Sequence, residues 1–90
     1  MRRDTEHFMG EELELVQLAR RLKEAKAVEE CLTEAGIDYH VAAEEYIGTL
    51  LFIPRRRIGA HFYVRPEIAE STRDLLREKG FFVVEVEHDD

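Results

Sequence analysis

Three arginines stand side by side at Arg55, Arg56 and Arg57, directly after Pro54, in a chain whose formal net charge is −7. Guanidinium groups keep their charge at any physiological pH, and their fork of donors matches carboxylate and phosphate oxygens. The run is therefore a candidate site for a small anionic ligand, an acidic protein partner or a nucleic-acid backbone. The plainer alternative is a solvated loop whose charges are met by Glu44, Glu45 or the acidic C-terminus. A second group is His40, His61 and Tyr63. If the apolar residues around them alternate into a core, these three lie on the opposite face of a sheet. Two imidazoles and a carboxylate from Glu44 or Glu85 have the donor types that zinc takes. Their spacing matches no metal motif, so no metal or cofactor is assigned. A polar sheet face or a dimer contact explains the same residues.

Other chemistry finds less support. Cys31 is the single cysteine; it borders the apolar face of a helix and reads as a small packing residue rather than a nucleophile. One cysteine also rules out an intrachain disulfide. Ser71 falls mid-helix without a nucleophile-elbow motif. There is no phosphate loop, dinucleotide fingerprint or metalloprotease motif. No catalytic residues are assigned, and the chain reads as a binding module rather than an enzyme.

Composition narrows the partners. Ninety residues allow one modest core. The hydrophobic share of 44% suits a folded domain rather than a disordered one. The acidic balance disfavours nucleic acid and anionic membrane surfaces as partners. No run approaches the 18 apolar residues of a membrane span, and residues 1–10 lack the apolar core of a signal peptide. The expected location is the cytoplasm. With so small a core and four apolar residues in succession, Leu50, Leu51, Phe52 and Ile53, a homodimer is expected.

Helix stops organise the chain. Leu32-Thr33-Glu34-Ala35-Gly36-Ile37 and Leu76-Arg77-Glu78-Lys79-Gly80-Phe81 each read as a helix end closed by a left-handed glycine. In each, the apolar residue after the glycine can pack back, Ile37 on Leu32 and Phe81 on Leu76. They stand 44 residues apart. The same offset places Ala25 on Ala69, Val28 on Thr72, Cys31 on Leu75, Leu32 on Leu76 and Leu18 on Phe62. Helix one carries Leu22, Ala25, Val28, Leu32 and Ala35 on one face. Helix two opens at Pro66 and carries Ile68, Ala69, Thr72, Leu75 and Leu76. Strand signals cover Leu13–Ala19, Ile37–Ala42, Ala60–Val64 and Phe81–Val86. An apolar run at Thr49–Ile53 reads as an extra edge strand, pairing with 60–64 across a turn at Arg55–Gly59. The expected fold is an α+β, ferredoxin-like β-α-β-β-α-β sandwich, a four-stranded antiparallel sheet with two helices on one face. Residues 11–87 form the domain, with flexible tails at 1–10 and 88–90. One alternative stays open: Leu15, Leu18, Leu22, Ala25, Val28 and Leu32 also fit a single helix starting near residue 11.

Over roughly residues 12–87, the segments ELVQLAR (14–20), AKAVEECLTEAGID (25–38) and HFYVRPEIAESTRDLLREKGF (61–81) resemble a family of small bacterial domains described as prokaryotic signal-transducing proteins. There a strand leads to a helix ending Leu-x-x-x-Gly-Ile, and a later strand reaches its helix through Val-Pro-Glu. Here the counterpart is Val64-Arg65-Pro66-Glu67, with one residue inserted, and Glu44–Gly59 follows no family pattern. The matching motifs are structural caps, so no catalytic residue is carried over. Amino-acid-binding regulatory domains of the ACT type are a looser likeness. The resemblance implies a signalling or regulatory role, with the open sheet face and the Arg55–Arg57 segment as the binding surface. A small enzyme with His40 and His61 at a dimer interface, and an RNA-binding module, are the competing readings.

Overall fold

Gly36 and Gly80 close their helices as the sequence predicts. The computed structural model describes the backbone of residues 1–8, 10–50 and 53–85, and the side chains of those residues other than 5, 47–50 and 53–55. Helix α1 spans Leu22–Glu34 and helix α2 spans Pro66–Glu78. The glycines sit at φ 73° and 85°, a left-handed conformation that costs any residue with a Cβ. At the first stop the Gly36 N–H donates to the Thr33 carbonyl at 3.1 Å and the Ile37 N–H to Leu32 at 3.0 Å. At the second, Gly80 donates to Arg77 at 3.0 Å and Phe81 to Leu76 at 2.9 Å. Both are Schellman caps, and each consumes carbonyls that a helix end would otherwise leave orphaned.

Strands β1 (Glu14–Ala19), β2 (His40–Leu50) and β3 (Ile53–Val64) form an antiparallel sheet in the order β1-β3-β2. Arg20 and Arg21 separate β1 from α1, so the single-helix alternative is excluded. Both helices supply the core on one side of the sheet: Ala25, Val28 and Leu32 from α1 and Ala69 and Leu76 from α2 pack with Val16, Ala19, Tyr39, Phe62 and Val64. Each large apolar side chain so buried is worth about 1.5–3 kcal/mol against exposure. Leu22, placed on the buried face of helix one by its spacing, is instead 73% exposed, since it lies in the first turn beyond the sheet-covered part. Ala35 is exposed as well, because α1 has already ended there.

The duplication is kept for the strand, helix and glycine stop of each half, not for the strand expected after the second stop, and its register needs one correction. The helices repeat at an offset of 44 residues, but in the strands Gln17 and Ala19 match Phe62 and Val64, an offset of 45. The extra residue lies in the connections, Arg20-Arg21 in one half and Arg65 alone in the other. The pairing of Leu18 with Phe62 in the repeat is therefore one position out.

Two further expectations are revised. The four-stranded ferredoxin-like sheet is three-stranded among the described residues. Residues 81–85 are not a strand; they make one backbone bond to β1, the Val84 N–H donating to the Val16 carbonyl at 2.8 Å. A bulge between Leu15 and Gln17 leaves Val16 unpaired with β3, and a bulge locally disrupts the ladder where that segment runs. Val86 and the tail 88–90 lie outside the described residues. The Thr49–Ile53 edge strand and its Arg55–Gly59 turn are also replaced. β2 and β3 are one long hairpin running from His40↔Tyr63 to Leu50↔Ile53, so Arg55–Gly59 is strand. Pro54 is tolerated because β3 has β2 on one side only at that height, the situation of an edge strand. The second strand begins at His40 rather than Ile37, because Ile37 is still engaged in the α1 cap.

Residues 1–8, read from sequence as part of a tail, carry specific contacts. Arg2 bridges in parallel to Tyr39, and the Arg3 N–H donates to the Tyr39 carbonyl at 2.7 Å. Asp38 receives Arg3 Nε at 3.1 Å and lies 3.4 Å from His7 Nε2. The Arg3 hydrogen bond holds the Asp38 carboxyl below its ordinary range. A 3₁₀ turn at Thr5–Phe8 then buries Phe8, with the Arg65 guanidinium 5.0 Å from its ring centre.

Candidate functional site

Directly opposed residues of an antiparallel pair share a face. The pairs His40↔Tyr63, Ala42↔His61, Glu44↔Gly59 and Tyr46↔Arg57 therefore line the side of the sheet away from the helices. The structure thus places His40, His61, Tyr63 and Arg57 on one face, and His40 and His61 are diagonal neighbours there. It does not join them into a ligand set. His40 Nδ1 lies 3.2 Å from the Arg3 carbonyl. His61 Nδ1 lies 3.1 Å from the Gly59 carbonyl, which can only accept, so this nitrogen carries the proton. His61 Nε2 lies 3.9 Å from Glu44 Oε2, and the Tyr63 hydroxyl donates to that same oxygen at 2.6 Å. Burial, with the Glu44 bond and charge behind it, pushes the Tyr63 phenol up to about 12. Glu85 is occupied by Arg77. Among the described residues no three histidine, cysteine or acidic side chains could hold a metal ion. Within the trio of His61, Glu44 and Tyr63 the hydrogen bond is that of Tyr63 to Glu44, while His61, only 7% exposed, is held by the Gly59 carbonyl.

The other end of that face is different. β1 stops pairing with β3 at Ala19↔Ala60, while the hairpin continues. Arg20 leaves the end of β1 and sets its guanidinium 5.8 Å from the centre of the Tyr46 ring. That ring lies close above Gly59, where a Cβ would stand 3.0 Å from Tyr46 Cε1 and 2.7 Å from Leu18 Cδ1. An open cavity of about 480 Å³ sits here, lined by Arg20, Glu45, Tyr46, Arg56, Arg57 and Ile58. Because Arg56 and Ile58 alternate with Arg57 along β3, the cavity touches both faces and lies along the strand edge. Arg21 and Leu22 border an adjoining apolar groove with Ala43, Ile58 and Ala60. The side chain of Arg55 lies outside the described residues, as do those of Leu50 and Ile53, and Leu51 and Phe52 entirely.

The charge pairing separates the arginines into two sets. Arg2, Arg3, Arg65, Arg73 and Arg77 each meet a carboxylate within 4.0 Å. Arg20, Arg21, Arg56 and Arg57 meet none among the described residues. Arg20 and Arg21 were not singled out by sequence. The signal that could have found them is a pair of arginines between a predicted strand and a predicted helix start.

No family model, curated protein or solved structure matches this chain. The site rests on geometry alone. Cys31 is half-buried between the helices, and burial pushes its thiol up, away from nucleophilic reactivity. The Ser71 hydroxyl donates to the Ile68 carbonyl of its own helix and faces solvent. Among the described residues no helix is long and apolar enough to cross a membrane.

Proposed function

We propose that this chain is a non-enzymatic binding domain of regulatory type, which docks an anionic group on the arginine-lined end of its sheet. The observation that carries the reading is the unpaired state of Arg20, Arg21, Arg56 and Arg57 among the described residues, in a chain with 20 acidic residues against 13 basic ones. Holding four cations together costs mutual repulsion, which an anionic partner relieves. The signal-transducing resemblance agrees in kind with such a role. The burial of His61 and the separate engagement of His40 with the Arg3 carbonyl weigh against the enzyme reading, which needs both imidazoles at one site.

Thermal unfolding with pyrophosphate, ATP, an acidic peptide and a single-stranded RNA oligonucleotide tests this. A ligand at about 100 times its Kd adds about 2.7 kcal/mol, a rise of roughly 10–20 °C for a domain of this size. The rise should vanish in R56E/R57E. If none of the four raises the melting temperature at millimolar concentration, the proposal fails.

A further inference from the structure

We infer that the occupant of this surface is an extended acidic peptide segment of a partner protein, added as a strand to the free edge of β3 in line with β1. The inference rests on the anion-docking reading and names its partner.

The backbone provides the first reason. β3 is the central strand only as far as Ala60; residues 53–59 pair with β2 on one side and, among the described residues, with nothing on the other. Such an edge presents unpaired N–H and C=O groups, the template for strand addition. Pro54 has no N–H, so pairing would end there and leave residues 55–59 as the docking stretch. The edge is also reachable: the cavity beside Arg20 and Tyr46 opens directly onto it.

Side chains along the edge provide the second reason. A strand laid beside β3 would point alternate residues to the two faces. Towards the helix side it would meet Ile58 and Leu22, exposed by 68% and 73%, together with Arg56. Towards the open side it would meet Arg20 and Arg57. The complementary sequence alternates apolar with acidic residues. Arginines beside an edge repel most strands and accept acidic ones, so the same charges that guard against self-aggregation select the partner. A nucleic acid suits the surface less well. Exposed Ile58 and Leu22 would gain nothing from a phosphate backbone, whereas the apolar residues of an alternating peptide would cover them.

The test uses the full chain and fluorescein-labelled peptides alternating Glu and Val. One form is unmodified; a second is N-methylated at alternate backbone amides in each of the two phases; a third replaces Glu by Lys. Fluorescence anisotropy should show binding of the unmodified peptide and of the N-methylated phase whose methylated amides face away from β3, and of neither the other phase nor the Lys form. Affinity should fall at least about tenfold in R56E/R57E, checked for intact circular dichroism, and fall again in about 0.5 M salt. Equal binding of both N-methylated phases would overturn strand addition. So would arginine-dependent binding of pyrophosphate or RNA with no binding of the peptide, an outcome that leaves the anion-docking reading standing. If no anionic probe binds, both readings fall together.

Discussion

Replacing Arg73 should unfold much of the population at moderate temperature. Arg73 is on α2 yet only 3% exposed, a cation inside a small domain. Its Nη1 lies 2.7 Å from Glu14 Oε2 on β1, its Nη2 donates to the Leu15 carbonyl at 2.9 Å, and its Nε donates to the Val84 carbonyl at 2.7 Å. One side chain thus ties α2 to the bulged strand and to the segment that follows α2. In Arg73→Met the apolar stem is kept, but Glu14 loses its buried cation and two carbonyls lose donors. Removing one partner of a buried pair costs about 3–5 kcal/mol, against a total of about 5–13 kcal/mol for 90 residues. At roughly 4–8 °C per kcal/mol the melting temperature should drop by about 12–40 °C. Urea titration followed by circular dichroism gives the free energy directly. The control is Arg73→Met with Glu14→Leu, in which no buried charge is left alone; it should recover most of the loss. Salt separates this pair from the exposed ones, since about 1 M NaCl screens Arg65–Glu11 but hardly reaches Arg73. A single-variant cost below about 1 kcal/mol, the range of a surface pair, would refute the account of Arg73 as the pin of this fold.

Other outcomes follow from close packing, backbone conformation and titration. Gly59→Ala should cost about 1–3 kcal/mol, because its Cβ would stand 2.7 Å from Leu18 Cδ1 and 3.1 Å from the Ala19 carbonyl; adding Leu18→Ala should relieve only part of that in urea melts, since the backbone oxygen stays. Gly36→Ala and Gly80→Ala should each cost about 1–2 kcal/mol, with Asn in place of Ala cheaper, because neither added Cβ meets any atom within 4 Å and only φ is penalised; unequal costs would show that the two caps are not equivalent. Tyr63 should titrate late, near 12, in a 295 nm absorbance scan about. Its folded pKa is raised, so its contribution is complete below the ordinary tyrosine value near 10 and is lost as pH rises towards the folded one; Tyr63→Phe should abolish that late step and flatten the alkaline loss of stability.

What the sequence discloses here is what local chemistry decides. A left-handed glycine followed by an apolar residue has one good use after a helix, so both caps, both helix ends and the internal repeat are readable. Phe62 and Val64 alternate with His61 and Tyr63, and the structure keeps that alternation. Non-local pairing is less visible. Gly59 looks like a turn residue but is a strand residue whose missing side chain makes room for Tyr46, a neighbour 13 positions away. Arg73 looks like a surface residue of α2, because nothing in a single chain says that Glu14 waits 59 positions upstream. The fourth strand has strand-forming residues at Phe81–Val84, but the bulge at Val16 on its intended neighbour is set by tertiary packing. Gln17 is the same case: a buried amide whose Nε2 donates to Glu24 at 3.2 Å while its Oε1 has no partner.

The two halves also differ where the repeat should make them alike, and the difference falls at the arginine end. α2 begins with Pro66 and Glu67, a preformed φ and a negative charge at the positive end of the helix dipole. α1 begins after Arg20 and Arg21, with Lys23 beside Glu24 in its first turn; neither helix has a side chain capping its N–H groups, and α2 too follows an arginine, Arg65. Three cations at that end oppose the dipole and Glu24 offsets one of them; each such charge is worth about 0.3–1 kcal/mol. A duplicated unit had the better solution available in its other half. Local preference is weaker at the start of α1 than of α2, by one more arginine, Lys23 and the missing proline, and the weaker start lies beside the free edge of β3 and the unpaired Arg56 and Arg57. Places where local rules lose without a structural return are where a protein meets something outside itself. The added residue in the Arg20-Arg21 connection belongs to the same departure, because it swings a second arginine onto the surface that β1 leaves open.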